Sequence, residues 1–250
     1  MFRSFAGGWG TDVLNAISRE AIRRNVARVD WIVSTNVAVA PHLVDELATI
    51  GIRARYVPSV IDVDSSSIVM ADWADASKPV LVYLPSQRKE FFGARTIESV
   101  IAGNPDLHFI VVADETHSLA AYANVESLGW VWDMRQLYLR AGCILRITTH
   151  DGLPRMLIAS LLHGLYAIYS WPLQGCWRAR TVEEIDGRLA QYRMATRPNI
   201  EGRMAIQALL NGKPELQMAD AITGSSVPAR LRLRGMSLAM HTGIFAGRLA

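Results

Sequence analysis

The chain has 250 residues, enough for one large α/β domain or for one domain and part of another. Half of the residues are hydrophobic and a fifth are charged, a globular composition that excludes wholesale disorder. Basic residues outnumber acidic ones by only three, 26 against 23, and no RNA-binding or zinc-finger motif accompanies them, which argues against a nucleic-acid partner.

The sequence lacks the signals of a membrane-spanning or secreted protein. No apolar run approaches the ~18 residues of a spanning helix, and the first residues lack the apolar core of a signal peptide. Cys143 and Cys176 are spaced for neither a disulfide framework nor a metal site. We therefore expect a soluble, cytoplasmic protein with reduced thiols.

The first predicted elements alternate helix and strand. Residues 1–75 contain two such pairs, with helices at 11–30 and 41–52 and strands at 31–34 and 54–58. Pro41 begins the second helix and Gly51 ends it. The polar stretch 62–78 has no sustained period and predicts a linker.

The next part of the chain alternates short apolar runs with helical patterns. The runs predict buried strands at 79–85, 107–113, 143–148 and 165–170, with a fifth strand near Val125 to Val131. Helices are predicted at 94–104, 133–142, 154–164 and 181–195. Because parallel strands need a crossover connection, this order predicts a doubly wound parallel sheet.

Two polar loops follow strands of this sheet. Ligands of such sheets bind at the carboxyl ends of the strands, which selects PSQRKEFFG (85–93) and TTHDGLP (148–154). Arg88 and Lys89 precede Gly93 and the next helix, where cations and helix N–H groups can neutralise a diphosphate. A solvated charged loop is the alternative interpretation.

The second loop offers a different set of groups. His150 and Asp151 stand at the entrance of a helix, Gly152 allows close backbone approach, and Pro154 suits the first helical turn. Asp151 could instead cap the helix, a contribution of about 1 kcal/mol. Arg146, flanked by apolar residues in its strand, needs a partner, either a carboxylate or a phosphate.

These segments resemble the C-terminal, donor-binding half of the GT-B glycosyltransferases, particularly the retaining family 4 group. The resemblance covers residues 79–195 and lies in VLVYLPSQRKEFFGARTIESV, NPDLHFIVVAD, NVESLGWV and CILRITTHDGLPRMLIASLLHGLYAIYS. It implies a Rossmann-like donor domain at 76–200. A partial acceptor-side α/β segment with a linker would occupy 1–75, and a C-terminal helix and tail would occupy 201–250.

The resemblance also implies an activity: retaining, metal-independent transfer of a sugar from a nucleotide-sugar donor to an acceptor, without a cofactor. Arg88 and Lys89 would contact the diphosphate and, with Asp151, form the catalytic set. The implied donor-binding residues are Arg88, Lys89, Arg146, His150, Asp151, Gly152, Leu153 and Pro154.

Two departures from the family pattern favour a second interpretation. The segment before the donor half is much shorter than an acceptor domain, and Ala159 stands where the family pattern, with its register given by Gly164, expects a Glu. A methyl group cannot accept the hydrogen bond of a ribose hydroxyl, a loss of about 1.5 to 3 kcal/mol. The alternative is a catalytically inactive binding module or partner subunit, with a protein partner or a second copy covering the shortened side.

Three further hypotheses concern a metal site, an epimerase activity and the C-terminal tail. The DVDS stretch (62–65) lacks the strand context of a metal site, and an epimerase would need an acid/base pair for which only His150 and Asp151 are candidates. The tail 227–250 alternates Arg with Leu before it turns apolar. It could lie on the anionic inner face of a membrane, or it could pack on the protein or remain poorly ordered.

Overall fold

The computed structural model describes residues 2–5, 35–58, 68–73, 78–212 and 216–217. The helix and strand predicted over 11–34, the DVDS stretch and the basic tail lie outside these residues. The chain divides into two compact units, Met1–Val60 with Asn211–Ala250, and Ile61–Leu210. None of the described helices combines the length and apolarity that crossing a membrane requires.

The first unit contains a small parallel sheet. Its strands are β1 (Phe2–Phe5), β2 (Thr35–Ala38) and β3 (Arg55–Tyr56), paired in that order, and α1 (Pro41–Ala48) connects β2 to β3. Pro41 occupies the first turn of α1, as the sequence predicts. The buried side chains of Leu43, Leu47, Ile50 and Ile52 belong to a separate small core on this helix.

The second unit alternates strands and helices throughout. Its elements are β4 (Val80–Tyr83), a 3-10 turn (Lys89–Phe92), α2 (Ala94–Gly103), β5 (Phe109–Val112), β6 (Val125–Gly129), α3 (Arg135–Arg140), β7 (Cys143–Arg146), α4 (Arg155–Leu162), β8 (Tyr166–Tyr169), β9 (Trp177–Arg178), α5 (Val182–Arg193) and α6 (Ile200–Asn211). The six strands pair in parallel in the order β6-β5-β4-β7-β8-β9. The predicted doubly wound parallel sheet is confirmed.

Helices cover both faces of this sheet. Side chains alternate along β4, so that Leu81 packs into the core with α3, α4 and α6, whereas Val80 and Val82 pack into the core with α2 and α5. All three of these side chains are fully buried. Burial on both faces explains why the central strands are continuous apolar runs rather than alternating patterns.

The strand order reverses between β4 and β7. From β4 the chain moves outward through β5 and β6, and from β7 it moves the opposite way through β8 and β9. The helices that follow β4 and β7 lie on opposite faces of the sheet, and ligands of such sheets bind in the crevice at the carboxyl ends of these two strands. The loops 85–93 and 148–154 follow these two strands.

Candidate functional site

The two predicted loops lie directly against each other. The Thr149 N–H donates a hydrogen bond to the Phe91 carbonyl at 2.9 Å. Gly93, at the start of α2, has φ +67°, and a Cβ there would lie 2.6 Å from Ile147 Cγ2. Only glycine satisfies both the backbone conformation and the close approach. The sheet thus brings together residues about 60 positions apart in the sequence.

Arg146 is paired with a carboxylate. Its Nε and Nη2 atoms each lie 2.8 Å from Asp151 Oδ2, and both side chains are largely buried. The guanidinium also lies over the rings of Tyr83 and Phe92, 5.3 and 5.5 Å from their centroids. Asp151 is thus the carboxylate partner that the sequence predicts for this arginine.

Asp151 is held by its own loop as well. Its Oδ1 accepts a hydrogen bond from the Gly152 N–H at 3.0 Å, and Thr148 Oγ1 lies 3.5 Å from its Oδ2. The Tyr169 hydroxyl donates to the Gly152 carbonyl at 3.5 Å. Burial, together with the charge of Asp151, raises the pKa of Tyr169 far above its usual value, so this phenol remains neutral.

Lys89 points to a partner that the sequence interpretation missed. Its Nζ lies 2.8 Å from Asp114 Oδ1, and it donates to Thr116 Oγ1 at 2.6 Å and Ser118 Oγ at 2.7 Å. The Asp114 side chain is fully buried, whereas that of Lys89 is 23% exposed. The ammonium therefore has three acceptors within the protein, which matches its three donors.

Asp114 is the centre of a saturated hydrogen-bond network. It accepts bonds from the backbone N–H and hydroxyl groups of Thr116 and Ser118, at 2.6 to 3.1 Å, and from Ser86 Oγ at 3.3 Å. Burial alone would raise its pKa, but the bonds from Lys89, Ser118 and Thr116 outweigh burial and lower the pKa well below the usual range. Asp114 is therefore ionised. Its signal in the sequence is an acid directly after a buried strand, at the carboxyl end of β5.

The remaining predicted residues occupy different environments. Arg88 is exposed, has φ +60°, and places its guanidinium carbon 4.3 Å from the Phe91 ring centroid. His150 is fully buried, with its ring 5.7 Å from that of Trp171. Leu153 packs against the core that contains α4. Pro154 is the N-cap of α4 rather than part of its first turn.

Ala159 lies within α4, and the residue beside it offers no substitute for a glutamate. The Ala159 carbonyl accepts a hydrogen bond from His163 Nδ1 at 2.7 Å. Ser160 is buried, and its hydroxyl donates to the Met156 carbonyl of the same helix at 2.8 Å. The Ser160 hydroxyl is therefore committed to its own helix.

No protein-family model and no curated protein sequence matches this chain. Several solved structures, however, are similar to this chain. HepE of Anabaena, solved with UDP-glucose, is 14% identical with a TM-score of 0.66, and the match covers 90% of this chain and 72% of that one. Sucrose-phosphate synthase of Thermosynechococcus elongatus is 15% identical with a TM-score of 0.64, covering 88% and 66%.

A third similar structure is a mutant of TarM from S. aureus, solved with fondaparinux, alpha-GlcNAc-glycerol and UDP. It is 9% identical with a TM-score of 0.59, and the match covers 86% of this chain and 48% of that one. This chain thus spans about half the length of TarM and about two thirds of the synthase. At such low identities the similarity shows the fold, and the chain has the fold of the GT-B glycosyltransferases.

Proposed function

We propose that the chain binds a nucleotide-sugar donor in the crevice between β4 and β7 and transfers its sugar to an acceptor, with retention and without a metal ion. The observation that carries the proposal is the junction of two polar loops at the strand reversal of a GT-B fold, joined by the bond from Thr149 to Phe91. The proposal is also supported by the ligands of similar structures, which are UDP-glucose for HepE and UDP for TarM.

The proposed reaction exchanges one bond at the anomeric carbon for another. The bond from this carbon to the diphosphate oxygen breaks, and the acceptor oxygen forms a new bond on the same face of the sugar. The acceptor proton passes to the departing diphosphate, so that the products are a glycoside and a nucleoside diphosphate. Arg88 would stabilise the diphosphate charge, and the Asp151–Gly152 turn would adjoin the sugar.

Lys89 and Arg146 already form ion pairs within the protein. Each ammonium or guanidinium group is held by a carboxylate of the protein, Lys89 by Asp114 and Arg146 by Asp151. A diphosphate would have to displace one of these ion pairs or bind beside it. We assign the first contact with the diphosphate to Arg88, because its side chain is exposed in the loop that follows β4.

The test is calorimetric titration of the whole chain with UDP, GDP, ADP and their sugar conjugates. We expect one nucleotide to bind, and the Arg88→Ala variant to bind it about tenfold more weakly, because a charge-assisted hydrogen bond is lost. Arg178→Ala is the matched control, since Arg178 is exposed on β9 outside both loops. Absence of binding for every nucleotide at millimolar concentration would contradict the proposal.

The second candidate function is that of an inactive donor-domain relative that serves as a binding module or partner subunit. It is favoured by the internal partners of Lys89 and Arg146 and by the methyl group of Ala159. The Ala159→Glu variant separates the two candidates. A gain of about tenfold or more in nucleotide affinity would indicate a weakened donor site, because the new carboxylate can accept ribose hydrogen bonds. An unchanged affinity would favour the inactive module.

A further inference from the structure

A polar cavity lies at the carboxyl edge of the larger sheet. It has a volume of about 310 Å³ and is lined by both loops, by the start of α2 and by the residues after β8 and β9. Its principal polar lining residues are Arg95, Thr149, Ser170 and Arg180. None of these residues belongs to the predicted donor set, so the cavity adds groups that this set does not include.

Arg180 supplies the main charge of this cavity. Among the described residues no carboxylate forms an ion pair with its guanidinium, whose carbon lies 4.9 Å from the Trp171 ring centroid. Trp171 is buried, so its ring is fixed in place and forms a cation–π contact with the guanidinium. The Glu184 carboxylate accepts a hydrogen bond from the Arg180 backbone N–H at 2.7 Å and interacts with the guanidinium through its charge alone, so the guanidinium N–H groups can still donate to an anion.

The other lining groups are also mainly donors. Ser170 is buried, and its Oγ accepts a bond from the Thr148 N–H at 2.9 Å, which leaves the hydroxyl hydrogen as a donor. Gly93 is the N-cap of α2 and has no side chain to satisfy the N–H groups of the first turn. The positive end of the helix dipole therefore adds to the charge of Arg180.

Among the lining residues, one carboxylate opposes this pattern, and it does so weakly. Glu90 lines the cavity and lies 3.5 Å from Arg95, but the two side chains are 72% and 87% exposed. Ion pairs at such exposure contribute little, and both long side chains can turn toward water. The lining itself keeps a net positive charge, with two arginines against one carboxylate, although Glu184 beside Arg180 offsets part of that charge.

We propose that this cavity binds the phosphate group of a small phosphorylated molecule. A tetrahedral oxyanion carries acceptors only, which suits a lining of guanidinium, hydroxyl and helix N–H donors. The volume exceeds that of a phosphate ion and falls at the lower end of small-ligand pockets, about 300 to 1,000 Å³. The phosphate belongs either to the diphosphate of a nucleotide donor or to a separate sugar phosphate.

The test is a titration of the whole chain with inorganic phosphate and with a hexose 1-phosphate. Arg180→Gln should weaken phosphate binding about tenfold, because it removes a charge-assisted contact. Arg178→Gln changes an exposed side chain of β9, two residues before Arg180, and should leave phosphate binding unchanged. Thr149→Val, which keeps the backbone bond to Phe91 and removes only a hydroxyl, should weaken binding a few fold.

Competition with UDP then identifies the source of the phosphate. If phosphate competes with UDP and Arg180→Gln weakens both, the cavity holds the donor diphosphate. If phosphate and UDP bind together, it holds a separate phosphorylated ligand. Absence of phosphate binding, or equal binding by the Arg180→Gln and Arg178→Gln variants, overturns the proposal. If UDP binds but Arg180→Gln changes the binding of neither UDP nor phosphate, the donor proposal stands and the phosphate proposal fails. If phosphate binds and UDP does not, the phosphate proposal stands and the donor proposal fails.

Discussion

Lys89 and Asp114 illustrate how single residues at the carboxyl edge of the sheet acquire their charge states. The carboxylate is fully buried, and the ammonium is its cationic partner at 2.8 Å. A buried carboxylate remains ionised only if paired and hydrogen-bonded, and Asp114 meets both conditions. Any diphosphate that recruits Lys89 must compensate for the loss of this pair.

The Asp114→Asn variant tests the network. At pH 7 we expect the free energy of unfolding to fall by about 2 to 3 kcal/mol, because the amide loses the charge that the surrounding donors solvate. The pKa of Asp114 is lower in the folded than in the unfolded chain, where it is about 3.9. The stabilisation is therefore present above that pH and is lost as pH falls toward the folded pKa.

Urea unfolding of the native chain and the variant between pH 7 and pH 2.5 measures this effect. The difference between them should shrink progressively below about pH 4. Asp133→Asn is the control, since Asp133 is exposed and accepts one backbone bond from Arg135. A difference that is constant over the whole pH range would show that Asp114 contributes through packing rather than through its charge.

At the scale of elements, apolar runs located the central strands of the larger sheet, whereas β1 and β2 of the smaller sheet lie outside the predicted strands. The runs at 79–85, 107–113, 143–148 and 165–170 contain β4, β5, β7 and β8, because a strand buried on both faces must be apolar throughout. β9 was missed because Trp177–Arg178 is too short for any pattern. The Ser170 and Arg180 positions that follow β8 and β9 were missed with it.

Two glycines give a matched test of how α2 begins. Gly93→Ala should lower the free energy of unfolding by about 2 kcal/mol, because φ is positive and the new Cβ would contact Ile147 at 2.6 Å. Gly187→Ala, in α5 with open space around the new Cβ, should raise it by about 0.5 to 1 kcal/mol. Urea unfolding distinguishes them, and equal shifts would mean that the loop relaxes around Gly93.

At the scale of the molecule, the unit Ile61–Leu210 contains a complete two-faced core of its own. Six parallel strands are covered on one face by α2 and α5 and on the other by α3, α4 and α6. The whole of the proposed donor crevice and the whole of the phosphate cavity lie within this unit. The chemistry proposed above is therefore assigned to one compact unit.

The fragment 61–212 should consequently fold by itself. We expect a single cooperative transition in scanning calorimetry, because the apolar faces of the sheet are covered from within the fragment. The full chain is the reference for the shape and temperature of this transition. A broad, gradual loss of helical circular dichroism in the fragment would contradict the prediction.

The sequence by itself determined the doubly wound parallel sheet and the positions of its polar loops. Both follow from local patterns, since apolar runs, glycines and prolines mark buried strands and the turns after them. Only the tertiary structure decided what the loop residues contact. The strand order places Lys89 beside Asp114, and it brings Gly93, Ser170 and Arg180 to the lining of one cavity. These neighbours come from different strand–helix connections, and periodicity along the chain carries no information about which strands pair.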